Sequence, residues 1–175
     1  MVFQNYALYP HLSVAENISL SRRLSLGRRF MNWGESRRIA RQALEELGVD
    51  IPLRETVERL PVAQKQLVAI ARAIVNDARL IVMDEPTTAL TEREVKRLLQ
   101  IIRTLQERGI AVLFVSHKLA EVLAVSNRVV VLRNGRLVAE GPVEDFNLES
   151  LTFHMTGRRI AEEATVSAES VRPEV

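Results

Sequence analysis

One run of ten residues, from Leu80 to Ala89, constrains this chain more than any other part of its sequence. Its first four residues, Leu80 to Met83, are apolar and come directly before the carboxylates of Asp84 and Glu85. A short apolar run of this kind predicts a buried strand in a parallel sheet. Parallel sheets bind ligands at the carboxyl ends of their strands, so both acids are predicted to lie at a binding edge.

Two adjacent carboxylates at that edge are typical of a magnesium-nucleotide site. Asp84 is the candidate ligand for Mg²⁺, and Glu85 is the candidate group that orients the water attacking a γ-phosphate. The alternative is that the two acids simply close the strand in a solvated turn. The apolar strand, the acid pair and the following Pro86 and Thr87 together favour the binding site.

A second apolar run, Ile110 to Val115, predicts a neighbouring strand that is also buried and is followed closely by His117. Thr91 to Gly109 predicts the helix between the two strands, with a threonine cap, acids in the first turn and a terminal glycine. Such a crossover places the two strands side by side. His117 could then reach the γ-phosphate and the attacking water, whereas alone it would be a histidine with a local hydrogen bond.

Two further helices are predicted upstream of these strands. The stretch from Leu60 to Val75 predicts a helix with Pro61 in its first turn, and its amino end suits a phosphate of a neighbouring subunit. Within Val2 to Ile18, the sequence predicts first a strand end and then an aromatic loop, which contains Tyr6 and Tyr9. Ser13 and Glu16 then have the spacing of a capping box, which predicts the start of another helix.

In this order, the motifs resemble those of the nucleotide-binding domain of ABC transporters, over about residues 1–157. The resemblance implies that ATP is the nucleotide, that Asp84 and Gln4 hold Mg²⁺, and that Glu85 and His117 are the catalytic residues. It also assigns each motif: Gln4 is the Q-loop glutamine, Leu60, Pro61, Val62, Ala63 and Gln64 form the signature loop, Asp84 and Glu85 are the Walker B pair, Ala89, Leu90 and Thr91 form the D-loop, and His117 is the switch histidine.

The resemblance implies an α/β fold of the P-loop NTPase type, with a partial parallel sheet and a helical subdomain over about 12–77. The rest of the catalytic core would cover about 78–157. It would end in a β-hairpin, which Asn134-Gly135 between apolar runs predicts independently. Residues 158–175 lack periodicity and are expected to be a flexible linker or tail.

The residues of several motifs are similar to those of the sugar-import type, notably Val62-Ala63-Gln64 and the run from Phe114 to Leu119. In that type, two such domains are fused in one subunit, and this chain resembles the first of them. The resemblance implies a membrane permease and a second ABC ATPase domain as partners, with a solute-binding protein acting indirectly. It also implies a cytoplasmic location on the inner face of the cell membrane.

Two departures from the family pattern bear on activity. No Gly-x-x-x-x-Gly-Lys-Ser/Thr run, the Walker A loop, is present, and in the family this loop precedes the Q-loop glutamine. We therefore expect the chain alone neither to bind ATP tightly nor to hydrolyse it. In the signature loop, Pro61 has no hydroxyl, and Val62 and Ala63 replace the usual glycines. The nucleotide site completed by this loop is expected to turn over slowly or only to bind.

Composition narrows the remaining alternatives. A net charge of +2 is too small to imply nucleic acid as a partner, and no apolar stretch predicts a membrane span or a signal peptide. One alternative is a truncated, inactive domain that only docks on a permease or a partner ATPase. Another is an ABC-type ATPase that works outside transport.

Overall fold

The computed structural model describes residues 2–3, 8–25 and 32–157. Gln4 and the predicted tail at 158–175 lie outside these residues. The chain divides into two compact units, Met1–Val115 and Ser116–Val175, and the subdomain division predicted near residue 77 lies inside the first. The first unit has a short 3₁₀ turn at Val57–Arg59 and the following elements, in chain order: β1 (Val2–Phe3), α1 (Val14–Ser25), α2 (Trp33–Glu46), α3 (Val62–Val75), β2 (Leu80–Asp84), α4 (Glu92–Glu107) and β3 (Ala111–Val115).

The sheet of the first unit is parallel and has the order β1-β2-β3. Leu80 pairs with Ala111 at one end of the β2-β3 ladder, and Asp84 pairs with Val115 at the other. The predicted strand-helix-strand crossover is therefore confirmed, with α4 as its helix. The carboxyl ends of β2 and β3 meet at one edge, as the sequence indicated.

The prediction that both strands are buried is wrong for one face of the sheet. Ile81 and Met83 are buried, but Leu80, Leu113 and Val115 remain 47%, 53% and 44% exposed. Strands of parallel sheets are usually apolar because both faces are covered. Here the residues that the structure describes cover only the face that carries Ile81 and Met83, so an apolar face stays open.

Helix α4 forms as its sequence predicts. Thr91 and Glu94 make a complete capping box at its start, and Gly109 adopts a left-handed φ of +76° just beyond its end. Helical spacing predicts a buried stripe of Val95, Leu98, Leu99, Ile102 and Leu105. The observed stripe differs slightly, because Ile101 is buried while Val95 and Leu99 are only partly so. The fully buried residues follow helical spacing: Leu98, Ile101, Ile102 and Leu105.

Helix α3 is buried on more sides than its predicted stripe of Leu67, Ile70, Ala71 and Ile74. Leu67 and Ile74 are only partly buried, because α3 packs against both α1 and α2 and turns other residues inward. Pro61 precedes the helix at the cap position instead of lying in its first turn. The buried set includes two polar side chains: Gln66, Val68, Ala69, Ile70, Ala71, Arg72, Ala73 and Val75. Burial lowers the pKa of Arg72, an effect that Tyr9 partly opposes.

Helix α1 starts with the predicted capping box, in which the Glu16 carboxylate accepts from the backbone N–H of Ser13 at 2.8 Å. One turn further on, Asn17 is fully buried and holds the preceding loop. Its Oδ1 accepts from the N–H of Tyr9 at 2.7 Å. Its Nδ2 lies 3.0–3.2 Å from the carbonyls of Tyr9, Leu12 and Ser13. The Asn17 amide thus ties the segment from Tyr9 to Ser13 to α1, alongside the backbone bonds from Val57 to Leu12 and from Glu58 to Pro10.

The second unit contains a β-hairpin packed against helices. Asn134 and Gly135 both have positive φ, 51° and 72°, as their dipeptide predicts for the turn. Val129 and Val131 form the core together with Leu151. The elements are α5 (Leu119–Val125), β4 (Arg128–Arg133), β5 (Arg136–Pro142), a 3₁₀ turn at Val143–Asp145 and α6 (Leu148–Thr156).

None of the helices in the described part of the chain has the length and apolarity needed to cross a membrane.

Replacing Asn17 by alanine is expected to lower the free energy of unfolding by about 2–4 kcal/mol, because it leaves buried backbone groups without their partners. Urea titration followed by circular dichroism measures this change. Asn76→Ala is the matched control: the exposed Asn76 makes one amide hydrogen bond, to the Arg72 carbonyl. Its expected cost is about 1 kcal/mol or less. Equal losses in the two variants would contradict the role of Asn17.

The cap of α4 is expected to weaken in acid. Hydrogen bonds from the backbone N–H and hydroxyl of Thr91 lower the pKa of Glu94 below its ordinary value of 4.5. A lowered folded-state pKa stabilises the fold at neutral pH, and this contribution is lost as the pH falls through that lowered value. Glu94→Gln should therefore reduce stability more at pH 7 than at about pH 3.

Urea titrations at the two pH values test the Glu94 prediction. Glu107→Gln, which removes the same charge from the other end of α4, is the control. A Glu94→Gln effect that is the same at both pH values would refute the capping explanation.

Candidate functional site

The acid pair lies at the carboxyl end of β2, where the pairing with β3 ends. Asp84 is the last residue of the strand and is partly buried beside Val115. The backbone N–H of Glu85 donates to the Val115 carbonyl at 2.8 Å, so β3 also holds the residue that follows the strand. The backbone of both acids is therefore fixed at the predicted edge by pairing with β3.

Glu85 adopts a left-handed backbone conformation with φ of +47°. A non-glycine residue there costs of order 1–3 kcal/mol and persists only where the surroundings enforce it. Two contacts with Thr88 close the turn: its N–H reaches the Glu85 carbonyl at 3.3 Å, and its hydroxyl lies 3.4 Å from Glu85 Oε2. Thr87, between them, is fully buried. The Glu85 side chain is only partly buried, so this strained turn presents it at the surface.

The signature loop leads directly into α3. Leu60 is buried and anchors it, whereas Pro61 and Val62 are exposed. The N–H of Lys65 makes a helical bond to the Pro61 carbonyl at 3.0 Å. The N–H groups before it have no partner within the helix, as in any first turn. The loop thus offers backbone donors and apolar side chains.

A side chain that sequence reasoning missed connects the signature helix to the acid pair. The Gln66 amide is 6% exposed and donates through Nε2 to the carbonyl of Pro86 at 2.5 Å. Pro86 is the residue directly after Glu85. The available signal was helical spacing, because Gln66 lies on the same face of α3 as Ala69, Ile70 and Ala73, and an amide buried there requires a partner.

The predicted D-loop leads from this turn to α4. The N–H of Leu90 donates to the Thr87 carbonyl at 3.2 Å, which continues the chain of local hydrogen bonds. The Thr91 side chain is engaged in the cap, because its hydroxyl donates to Glu94 Oε2 at 2.8 Å. Leu90 is partly buried and Thr91 is exposed.

The remaining predicted residues are His117 and Gln4. His117 is exposed and belongs to the second unit, two residues beyond the end of β3. The bend around it is held by a hydrogen bond from the N–H of Lys118 to Ser116 Oγ at 3.0 Å. Gln4 lies outside the described residues. The structure therefore brings the acid pair together with α3, the helix that follows the signature loop. Both lie within the first unit.

The donor set fits a magnesium ion that is bound mainly through a nucleotide. In the described ranges, no three or more His, Cys, Asp or Glu side chains cluster closely enough to hold a metal. Magnesium commonly takes only one or two protein carboxylates and completes its shell with phosphates and waters. Asp84 suits that role. The loop that would cradle the phosphates has no counterpart in the 175 residues.

Comparison with known proteins identifies the family. The profile of the ABC transporter family matches residues 1–88, which is half of the chain. The chain therefore belongs to the ABC transporter family, whose ATPase domains hydrolyse ATP with Mg²⁺.

Two similar relatives are ribose import ATP-binding proteins. The chain is 44% identical over 163 residues to the ribose import ATP-binding protein RbsA 2 of Rubrobacter xylanophilus, which covers 93% of this chain and 31% of the relative. It is 37% identical over 180 residues to the ribose import ATP-binding protein RbsA of Geobacillus kaustophilus, with 99% and 36% covered. The chain spans about a third of the length of these relatives.

Solved structures agree on the fold. A dimeric ATP-binding cassette in a post-hydrolysis state, bound to ADP and Pi, matches with a TM-score of 0.67 and 29% identity over 82% of this chain and 62% of that one. An inward-facing ABC transporter described as of the metal-chelate type matches with a TM-score of 0.72 and 25% identity. The match covers 86% of this chain and 60% of that one. The fold is thus α/β and of the P-loop NTPase type, with a partial parallel sheet, a helical subdomain and a carboxyl-terminal β-hairpin.

Proposed function

We propose that this chain is part of the ATP-binding subunit of an ABC transporter that imports a sugar or a related small solute. The observation that carries the proposal is the acid pair at the carboxyl end of β2, with Glu85 held in a strained turn that is bonded to both β3 and the signature helix. Identity to ribose import subunits over more than nine-tenths of the chain supports the solute class.

Asp84 and Glu85 would act on the same nucleotide, Asp84 on its metal ion and Glu85 on the attacking water. Bound Mg²⁺ would neutralise phosphate charge, and Asp84 would hold it directly or through water, together with Gln4. Glu85 would accept a hydrogen bond from the attacking water and orient its oxygen toward the γ-phosphorus. By the family resemblance, His117 would contact the γ-phosphate.

Residues of the signature loop and the D-loop would serve the nucleotide of a second ATPase domain. The N–H groups at the start of α3 and the dipole of that helix favour an anion. The loop from Leu60 to Gln64 offers no hydroxyl, since proline occupies position 61. The site that it completes would therefore bind ATP but turn over slowly. Leu90 and Thr91 would lie along the interface with that second domain.

The partners and the location follow from the same proposal. A membrane permease would contact the aromatic loop, in which Tyr9 is about half exposed. A second ABC ATPase domain, in tandem or as a dimer, would complete both sites, and a solute-binding protein would act indirectly. The subunit would lie on the cytoplasmic face of the membrane.

A second candidate is an inactive domain that only docks on a permease or on a partner ATPase. The sequence offers one specific reason for it: none of the three lysines, Lys65, Lys96 and Lys118, stands in a phosphate loop. Without such a loop, the triphosphate loses its main cradle of backbone N–H groups.

Titration of the isolated chain with Mg-ATP should give no binding heat at micromolar nucleotide, because the 175 residues contain no Walker A loop to cradle the phosphates. Isothermal calorimetry measures this directly. The ribose import subunit of Rubrobacter xylanophilus, run under the same conditions, is the positive control. Micromolar affinity in the isolated chain would contradict the prediction.

In the intact subunit, Glu85→Gln should reduce the kcat of ATP hydrolysis about 100-fold or more while leaving ATP binding largely intact, since the amide cannot act as a base toward water. Steady-state phosphate release measures the rate. Glu92→Gln, in the exposed first turn of α4, is the matched control and should have wild-type turnover. Unchanged turnover in Glu85→Gln would exclude a catalytic role for that residue.

A further inference from the structure

Gln66 is a buried polar residue whose side chain joins α3 to the turn after β2. The other buried side chains of α3 are apolar except Arg72, and Gln66 itself is 6% exposed. Its Nε2 bond to the Pro86 carbonyl, at 2.5 Å, spans 20 residues of sequence. A primary amide is costly to bury unless its donors and acceptors are satisfied, so a hydrophobic residue would serve packing alone as well or better.

The acceptor of this bond, the Pro86 carbonyl, lies next to a residue with a strained backbone. Pro86 comes directly after Glu85, whose φ of +47° requires outside support. On the strand side, the support is the bond from the Glu85 N–H to the Val115 carbonyl. On the other side, Gln66 holds the next carbonyl along the chain. The backbone of Glu85 is therefore clamped from both directions, by β3 and by α3.

Gln66 also shares its helix with the signature loop. Gln64, the last residue of that loop, lies two positions before it, and the loop itself ends in the first turn of α3. A displacement of the start of α3 along its axis would move Gln66 with it and would change the orientation of the Pro86 peptide group. The same bond would then change the conformation available to Glu85.

We propose that Gln66 is a positioning residue for the hydrolytic glutamate: its amide fixes the Pro86 carbonyl and thereby the direction of the Glu85 carboxylate. This inference rests on the proposed function, in which the signature loop contacts one nucleotide and Glu85 acts on the other. Gln66 would then report the state of the first site to the second through one hydrogen bond.

The first test uses the 175-residue chain and needs no nucleotide. Gln66→Met removes the amide at nearly constant volume. Residue-resolved hydrogen exchange of the Glu85 and Thr88 amides should become at least about tenfold faster, because the turn loses one of its two clamps. The Val95 amide, in the first turn of α4, should change less than about twofold. Gln100→Met, on the exposed side of α4, is the matched control and should leave all three amides unchanged.

A second variant decides the matter if Gln66→Met unfolds the chain. In Gln66→Glu, the ionised carboxylate cannot donate to the Pro86 carbonyl, but the protonated acid can. Protection of Glu85 and Thr88 should therefore rise in acid as that carboxyl becomes protonated. Protection that does not follow this titration, or normal protection in a folded Gln66→Met, overturns the proposal.

The functional test uses the intact subunit. Gln66→Met should lower kcat for ATP hydrolysis about tenfold or more and leave KM for ATP within about twofold, since the nucleotide contacts are unaffected. Gln100→Met should match the wild type. If KM rises instead and kcat is unchanged, Gln66 supports binding and the inference is wrong. If the wild-type subunit does not hydrolyse ATP, the proposed function fails, while the exchange measurements still decide the role of Gln66.

Discussion

The parallel pairing of β2 with β3 is the interaction on which the site depends. The ladder from Leu80-Ala111 to Asp84-Val115 ends at the acid pair, and one further bond carries it to the N–H of Glu85. Backbone hydrogen bonds in a sheet hold their residues more tightly than a loop can. Two carboxylates that repel each other are thereby presented at a single edge of the sheet.

Helix α3 supplies the second constraint, because its bond from Gln66 to Pro86 joins two predicted site segments across 20 residues of sequence. Its start carries the signature loop, and its buried Gln66 holds the Pro86 carbonyl beside Glu85. The helix is packed on several sides, so it can move only as a unit. A rigid helix that joins the predicted signature loop to a strained turn is well suited to couple them.

Sequence patterns predicted the elements well where the signal was local. The capping box at Ser13, the threonine cap at Thr91 and the turn at Asn134-Gly135 depend on neighbouring residues alone, and each forms as predicted. Burial was predicted less well, because it depends on what packs against each element. β3 was expected to be buried but leaves Leu113 about half exposed, and α3 is buried beyond its apolar stripe.

The sequence by itself determined the local chemistry: an apolar run ending in Asp84 and Glu85, a capped helix and a second apolar run are sufficient to specify a parallel crossover with acids at its edge. Only the tertiary structure decided the conformation of Glu85 and its clamp. Its positive φ is unfavourable for an isolated residue and exists because Val115 and Gln66, distant in sequence, hold the groups on either side. Such strain has no local sequence signal, since the contacts that stabilise it form only when the chain folds.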